Sequence, residues 1–329
     1  MKRLLLLLLL ALTACSAAPI APPVAASGPS EPVRLWQDAA IFGAVSRLVG
    51  GASSRVLVEM YEFGRRDLED SLLAARRRGL DVRLVYDPSV PQSAHAAGRL
   101  AQLGLPVRSY PLDDRRHQID HVKLLIADGR ALVTGMNWGA TSARNHDYGL
   151  ETWAPAELER LSAIFEQDWS LAGGVPRPLA AAAAGAEILQ TAPGDEVRSA
   201  LLDLIADARS EIRAEVFVLT DHQVQAALSA AHRRGVRVRL LLDPRQDVNL
   251  PSRSLLLRAG VEVRWYPVAP GAKLHAKTGL FDARRLLLGS ANWSLSGLSV
   301  NHELDVETSD PGAVRAYAAR FESDWSKSA

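Results

Sequence analysis

The chain has 329 residues, of which 48% are hydrophobic and 23% are charged, with 23 glycines and 18 prolines. This is the composition of a globular protein with room for two domains, and it excludes collagen-like, low-complexity and polytopic membrane classes. The formal net charge of +1 argues against a protein that coats nucleic acid, and the single cysteine excludes an internal disulfide and a thiolate metal cluster.

The chain begins with a short apolar segment that is typical of a secretory signal. Two basic residues precede seven consecutive leucines, too few to cross a bilayer, which takes about 20 residues. The sequence Leu-Thr-Ala-Cys, from Leu12 to Cys15, resembles the bacterial lipobox, in which the cysteine carries the lipid. We therefore predict a signal peptide at 1–14, a lipid-anchored flexible tether at 15–34, and an exported lipoprotein of the cell envelope. A plain signal peptide with an incidental cysteine is the alternative.

The rest of the chain consists of two copies of one pattern. A β-rich run with a central glutamate, Arg55–Phe63 or Glu211–Leu219, is followed in each copy by a helical stretch that ends in glycine. The offset between these glycines, Gly79 and Gly235, is 156 residues. Strands that alternate with helical stretches predict an α/β fold in which helices cover a sheet. The predicted boundaries are 35–172 for the first domain, 173–189 for a linker and 190–327 for the second domain.

One segment of each copy has residues that packing alone does not explain. The first copy contains His121-Val-Lys123 and the second His275-Ala-Lys277. Residues i and i+2 of a strand share a face, so each pair sets an imidazole beside an ammonium group. Arginine supplies 33 of the 38 basic residues, yet both motif positions are lysine, a compact charge for a phosphate oxygen. With an asparagine further on in each copy, these groups can bind and attack a phosphate.

The doubled motif resembles that of the phospholipase D superfamily, His-x-Lys-x4-Asp-x6-Gly-Ser-x-Asn. The second copy matches at every position, through Asp282, Ser290 and Asn292. The first copy continues through Asp128 and Asn137, but it is one residue shorter and lacks the serine. The resemblance implies two repeated phospholipase D-like α/β sandwich domains, packed with pseudo-twofold symmetry into a monomer with one active site.

The resemblance also implies roles for the motif residues. His121 is expected to attack phosphorus and form a phosphohistidine, while His275 acts as the general acid and base. Lys123 and Lys277 are expected to bind the phosphoryl oxygens. Further phosphate contacts are expected from Asn137, Ser290 and Asn292. No metal and no other cofactor is expected.

Acidic residues around the motif are given supporting roles. Asp147 and Glu303, a short way after the asparagines, are expected to orient the catalytic imidazoles. The motif acids Asp128 and Asp282 are expected to be structural, because they follow the lysines by five residues. Two further repeated pairs are left without an assigned catalytic role: Glu59 and Glu215, which either face the site or are paired structural acids, and His146 with His302, which repeat symmetry explains.

The resemblance leaves several functions open. We favour a metal-independent phosphodiesterase of phospholipase D type that hydrolyses or exchanges phospholipid headgroups, because the predicted anchor places it beside that substrate. The alternative is an endonuclease of the same superfamily acting on DNA or RNA, which the near-neutral charge supports poorly. A second alternative is a cardiolipin-synthase-like phosphatidyltransferase, in which an alcohol replaces water. A catalytically inactive scaffold is disfavoured because both His-x-Lys pairs are intact.

Overall fold

The computed structural model describes residues 32–177, 187–192 and 194–329. The predicted signal peptide, Cys15 and nearly all of the predicted tether lie outside the described residues, as does the middle of the predicted linker. Within the described ranges, no helix combines the length and the apolar character needed to cross a membrane.

The first half of the chain alternates strands and helices. Its elements are β1 (Val33–Gln37), α1 (Ala40–Gly51), β2 (Arg55–Met60), α2 (Arg66–Arg77), β3 (Asp81–Tyr86), α3 (Pro91–Gln102), β4 (Val107–Ser109), β5 (Lys123–Ala127), β6 (Arg130–Thr134), β7 (Tyr148–Thr152) and α4 (Pro155–Leu171).

The second half repeats this order. Its elements are β8 (Ile188–Gln190), α5 (Glu196–Asp207), β9 (Glu211–Val216), α6 (His222–Arg233), β10 (Arg237–Leu242), α7 (Asn249–Arg258), β11 (Glu262–Trp265), β12 (Lys277–Phe281), β13 (Arg285–Gly289), α8 (Leu295–Ser299), β14 (Leu304–Thr308) and α9 (Pro311–Lys327).

Each half forms a mixed sheet with the same strand order. The first runs β1-β7-β6-β5-β2-β3-β4, and the second runs β8-β14-β13-β12-β9-β10-β11. In the first sheet, β2, β3 and β4 run parallel to one another, and the remaining neighbours pair antiparallel. The helices between the parallel strands therefore serve as crossover connections. The predicted fold of two repeated α/β domains is confirmed.

The edge strands begin slightly earlier than the predicted domains. β1 pairs antiparallel with β7 from Val33 onwards, inside the predicted tether, and β8 pairs with β14 from Ile188, inside the predicted linker. The sequence does not predict these strand residues, because an edge strand of three to five residues is too short to show periodicity.

The two sheets share a central core. Helices α1 to α3 pack on the outer face of the first sheet, and α5 to α7 on that of the second. The inner faces pack together with α4 and α9, which contribute Phe165, Trp169, Phe321 and Trp325 to one continuous apolar cluster. Burial of this cluster against both sheets holds the domains in one arrangement. The ends of β5 and β12 are thereby brought together.

Asp128 and Asp282 lie at the turns after β5 and β12, where both adopt φ 51°. Asp128 Oδ1 accepts hydrogen bonds from the backbone N–H groups of Ser54 and Arg55, each at 2.9 Å. Asp282 Oδ1 accepts equivalent bonds from Ser210 and Glu211, at 2.7 and 3.1 Å. These carboxylates therefore tie the hairpins to the starts of β2 and β9, at the opposite ends of β5 and β12 from His121 and His275.

Loss of the Asp128 charge is expected to destabilise the fold in a pH-dependent way. The hydrogen bonds lower the pKa of Asp128 below its ordinary value, so the stabilisation is complete above about pH 5 and is lost as the pH falls below about 4. We expect Asp128→Asn to lower the free energy of unfolding by about 1–2 kcal/mol at pH 7, since the turn is half exposed. Urea unfolding of both proteins at pH 7 and pH 3.5 checks this. The prediction is contradicted if the difference in free energy of unfolding between the wild type and Asp128→Asn is as large at pH 3.5 as at pH 7.

Candidate active site

The two His-x-Lys pairs lie at the starts of equivalent strands. β5 begins at Lys123 and β12 at Lys277, and both lysines are 1% exposed. His121 and His275 precede them and are 5% and 6% exposed. Each ammonium group donates a hydrogen bond to the carbonyl oxygen of the histidine in its own pair. The charge of Lys277 also acts on His121 and that of Lys123 on His275, so the two pairs face one site.

Main-chain hydrogen bonds across the domain boundary position both histidines. His121 N donates to the carbonyl oxygen of His302, and His275 N donates to that of His146, each at 2.8 Å. The same contact thus occurs once for each histidine, as the repeat requires. They fix the backbone of each catalytic histidine against the other domain.

Each catalytic imidazole is paired with a carboxylate from the opposite domain. His121 Nδ1 lies 2.7 Å from Glu303 Oε2, and His275 Nδ1 lies 2.7 Å from Asp147 Oδ2. A carboxylate at Nδ1 holds the proton on that nitrogen and leaves Nε2 free to attack or to carry a proton. The structure therefore places both predicted orienting acids beside a histidine, but beside the one from the other copy.

The site favours neutral imidazoles when no phosphate is bound. Burial, with the neighbouring Lys123 ammonium, holds the pKa of His121 well below its ordinary value. Burial and Lys277 lower the pKa of His275 to about 3. Burial also lowers the pKa of Lys123 to about 7 and that of Lys277 to about 8. An anionic phosphodiester that enters this site will raise all four pKa values.

Anion binding is therefore expected to weaken as the pH rises above 7. Lys123 and Lys277 attract an anion only when protonated, and their pKa values of about 7 and about 8 place that loss between pH 7 and pH 9. We expect the Kd for tungstate, a dianion throughout this range, to rise about tenfold from pH 7 to pH 8 and more steeply above it. Calorimetry in buffers of different ionisation enthalpy measures the proton uptake. Lys123→Gln should flatten the profile, and a Kd that is constant from pH 7 to pH 9 contradicts the prediction.

The two copies differ at the position of the motif serine. Ser290 is fully buried, its Oγ accepts a hydrogen bond from Leu304 N at 2.9 Å, and it also bonds to the Glu303 carboxylate. Its hydroxyl group thus contacts the acid that is paired with His121, and the predicted contact to phosphate stays a prediction. Gly135 occupies the equivalent place, where a Cβ atom would lie 2.3 Å from Asp147 Oδ1. The glycine in the first copy therefore makes room for the orienting carboxylate.

The motif asparagines lie beside this site. Asn137 Nδ2 donates to Glu62 Oε2 at 3.0 Å, so one of the two hydrogens of this amide group is used by Glu62 and the other is left for a phosphate. Within the described ranges, the Oδ1 atoms of Asn137 and Asn292 are buried without a hydrogen-bond partner. Glu62 was not singled out from the sequence, since its copy-two equivalent is apolar.

Aromatic residues that sequence reasoning missed enclose the two pairs. The Tyr61 ring lies 4.7 Å from the His121 ring and 4.9 Å from Lys123 Nζ. The Phe217 ring lies 4.8 Å from the His275 ring. Both follow the repeated glutamate of their copy by two residues, and that recurrence is the signal that could have found them. These rings exclude water and stabilise the ammonium groups through cation–π contacts.

Glu59 and Glu215 face a second pair of histidines rather than the catalytic ones. His302 Nε2 lies 3.0 Å from Asp168 Oδ2 and 3.5 Å from Glu59 Oε1. His146 Nε2 lies 3.1 Å from Glu215 Oε2. Each of these histidines enters an acidic pocket of the opposite domain. Of the two interpretations left open, the structure shows these glutamates among buried structural groups.

The sequence is similar to those of known proteins. A bacterial relative, the probable cardiolipin synthase YwiE of Bacillus subtilis, is 26% identical over 329 aligned positions, covering 87% of this chain and 64% of that protein. The mitochondrial cardiolipin hydrolase of Homo sapiens is 33% identical over 133 positions, covering 40% of this chain and 52% of that protein. The chain thus spans less than two thirds of the length of these relatives.

A solved structure shows the same fold. Phosphatidylserine synthase of Haemophilus influenzae superimposes with a TM-score of 0.71 at 14% identity, covering 89% of this chain and 86% of that one. The family model for the phospholipase D-like domain of cardiolipin synthase matches twice, at residues 45–169 and 201–325. Both domains of this chain therefore belong to the phospholipase D superfamily, in the family defined by the phospholipase D-like domain of cardiolipin synthase.

Proposed function

We propose that the protein is a phosphatidyltransferase that moves a phosphatidyl group from one phospholipid to the alcohol of another, as the name cardiolipin synthase describes for its relatives. The observation that supports phosphodiester exchange is the convergence of two His-Lys pairs, each with its Nδ1 held by a carboxylate 2.7 Å away. The match of both domains to the cardiolipin synthase family model supports lipid as the substrate class.

The first step forms a covalent intermediate. Nε2 of His121 attacks phosphorus, and the bond from phosphorus to the headgroup oxygen breaks. His275, protonated once the anionic substrate is bound, gives its Nε2 proton to the leaving alcohol. Lys123 and Lys277 stabilise the charge that develops on the phosphoryl oxygens.

The second step returns the enzyme to its starting state. His275, now neutral, removes the proton of an acceptor alcohol, whose oxygen attacks phosphorus while the bond to His121 Nε2 breaks. The imidazoles are 5% and 6% exposed, so bulk water has little access to the intermediate. Limited access of water supports transfer to an alcohol over hydrolysis.

Hydrolysis of the same lipids, which the sequence alone favours, is the second candidate. The similarity to a mitochondrial cardiolipin hydrolase, which covers 40% of this chain, favours it. A nuclease has weaker support, since the net charge of +1 gives no general basic surface. We also propose, from the lipobox-like sequence alone, that the chain is anchored at the cell envelope through Cys15.

One incubation separates these activities. The full chain is mixed with phosphatidylglycerol vesicles in the presence of EDTA, and single-stranded DNA is offered in parallel. Transfer yields cardiolipin and an equal amount of glycerol, whereas hydrolysis yields phosphatidic acid and glycerol. DNA cleavage without a lipid product overturns the lipid assignment. A His121→Ala/His275→Ala variant, which should form no product, is the control.

A further inference from the structure

A buried polar cluster lies between the domains and contains none of the catalytic residues. It consists of Glu59, Asp120, Asp168 and His302, all fully buried, and we call it the Glu59 cluster. The carboxylates of Asp120 and Asp168 both interact with that of Glu59, and His302 contacts Asp168 and Glu59. Three carboxylates therefore surround one imidazole, away from solvent.

The Glu59 cluster has fewer hydrogen-bond donors than its carboxylate oxygens can accept: His302 donates to Asp168, and the Val122 N–H donates to Asp120 Oδ1. In the part of the chain that the structure describes, neither Oε atom of Glu59 has a hydrogen-bond partner, and neither has Asp120 Oδ2. A buried carboxylate that is unpaired and without donors is strongly unfavourable. The cluster is therefore stabilised either by a proton on Glu59 or by positive charge beyond that of one histidine.

The second domain contains the same arrangement in a completed form. His146 Nε2 lies 3.1 Å from Glu215 Oε2 and 3.5 Å from Asp324 Oδ2. Tyr148 Oη donates to that Glu215 oxygen at 2.5 Å, and Arg320 Nε donates to that Asp324 oxygen at 2.6 Å. The two carboxylate oxygens that face His146 are thus both satisfied, and Arg320 supplies a permanent cation.

Both donors are absent from the Glu59 cluster because of substitutions between the copies. Ile164 stands where the second domain has Arg320, and Leu304 stands where the first half has Tyr148. Both replacements are buried and apolar. Asp120 stands where the other copy has leucine, which adds a carboxylate. The two clusters also differ at the second ring nitrogen, since His146 Nδ1 lies 2.6 Å from Asp38 Oδ1 while His302 Nδ1 has no hydrogen-bond partner among the described residues. With three carboxylates around each histidine and Arg320 beside only one of them, the Glu59 cluster has the more negative charge and the fewer donors.

We propose that the Glu59 cluster binds a divalent transition-metal ion, Zn²⁺ or Mn²⁺, through Glu59, Asp168 and His302. Ligand atoms about 2.1 Å from such an ion lie about 3.0 Å apart in octahedral and about 3.4 Å apart in tetrahedral coordination. The distances from His302 Nε2 to Asp168 Oδ2 and Glu59 Oε1 are 3.0 and 3.5 Å, and the ligand atoms of all three residues lie within 4.8 Å of one another, so small side-chain shifts bring them to either set of separations. One imidazole with two carboxylates suits both metals.

The ion has a structural role in this arrangement and takes no part in the phosphoryl transfer steps. Glu59 and Asp168 belong to the first domain and His302 to the second, so the ion joins the domains. The backbone carbonyl oxygen of His302 also accepts the hydrogen bond from His121 N, and His302 directly precedes Glu303 in the sequence. The ion thus positions the His121–Glu303 pair. Because the cluster is fully buried, EDTA reaches the ion only when the chain unfolds.

The test is the metal content of the full chain. The protein is refolded with Zn²⁺ or Mn²⁺ present, passed through EDTA on a gel-filtration column, and analysed for both elements. We expect about one ion per chain in the wild type and in Glu215→Gln, the matched change in the second domain, and less than about 0.1 in Glu59→Gln. The ion should raise the Tm of the wild type but not that of Glu59→Gln.

Two results overturn the proposal. A wild-type chain that retains neither metal shows that a proton on Glu59 neutralises the cluster; Glu59→Gln, a neutral group of the same shape, then keeps or raises the Tm. Full retention of metal by Glu59→Gln shows that the ion binds elsewhere. The wild-type measurement decides even if a variant fails to fold, and it does not depend on the proposed lipid activity.

Discussion

His275→Asn is expected to lower phospholipid turnover by about 10⁴-fold and yet to leave the first chemical step intact on an activated substrate. A p-nitrophenyl phosphodiester releases a leaving group that needs no proton from His275. The first step then proceeds, but no base activates the acceptor in the second. Rapid-quench or stopped-flow measurement should show a burst of about one p-nitrophenolate per chain, followed by very slow release.

His121→Asn is the matched control, because it removes the proposed nucleophile while leaving the proposed acid and base in place. We expect neither burst nor turnover from this variant. A burst from His121→Asn together with none from His275→Asn shows that the two histidines exchange roles. Failure of both variants to give a burst, while the wild type turns the substrate over, contradicts the covalent mechanism.

The second large effect concerns the carboxylates that cross the domain boundary. Asp147→Asn should behave like His275→Asn, with a burst and slow turnover, although Asp147 lies in the same half of the chain as His121. Glu303→Gln should behave like His121→Asn and give no burst. We expect losses of about 10²–10⁴-fold in kcat, because an amide at this position favours the wrong imidazole tautomer.

Asp282→Asn is the matched control for these two variants, since it changes a motif carboxylate that caps backbone N–H groups far from the imidazoles. Its kcat should stay within about threefold of the wild type once both proteins are fully folded. If Asp147→Asn instead removes the burst, Asp147 supports the His121 step, and the crossed assignment is wrong.

Much of the fold and the candidate site followed from local sequence patterns. Strands that alternate with helical stretches, repeated at an offset of 156 residues, predict two α/β domains without any knowledge of their packing. The His-x-Lys pairs were recognisable because their spacing matches one face of a strand. The superfamily resemblance itself is confirmed by the match of the family model to both halves.

The partners of each histidine could not be predicted from the sequence. Asp147 lies 26 residues after His121 in the sequence, yet its carboxylate pairs with His275. This pairing across the domain boundary results from the packing of the two sheets on a shared core, which local sequence patterns do not show. Likewise, repeat symmetry sufficed to explain His146 and His302, so nothing in the sequence indicated that each enters the other domain. The use of Ser290 to hold Glu303 also depends on burial, which a motif does not encode.

Each half of the chain supplies the carboxylate that pairs with the histidine of the other half, and this affects how the expected activity depends on protein concentration. Neither half alone contains a complete catalytic pair, because the acid for each imidazole is supplied by the other half. Separated halves would have to associate before reacting, and dilution would inactivate them. Covalent connection makes this association intramolecular, so it does not depend on the concentration of the chain. We therefore expect the activity per molecule of the duplicated chain to stay constant on dilution.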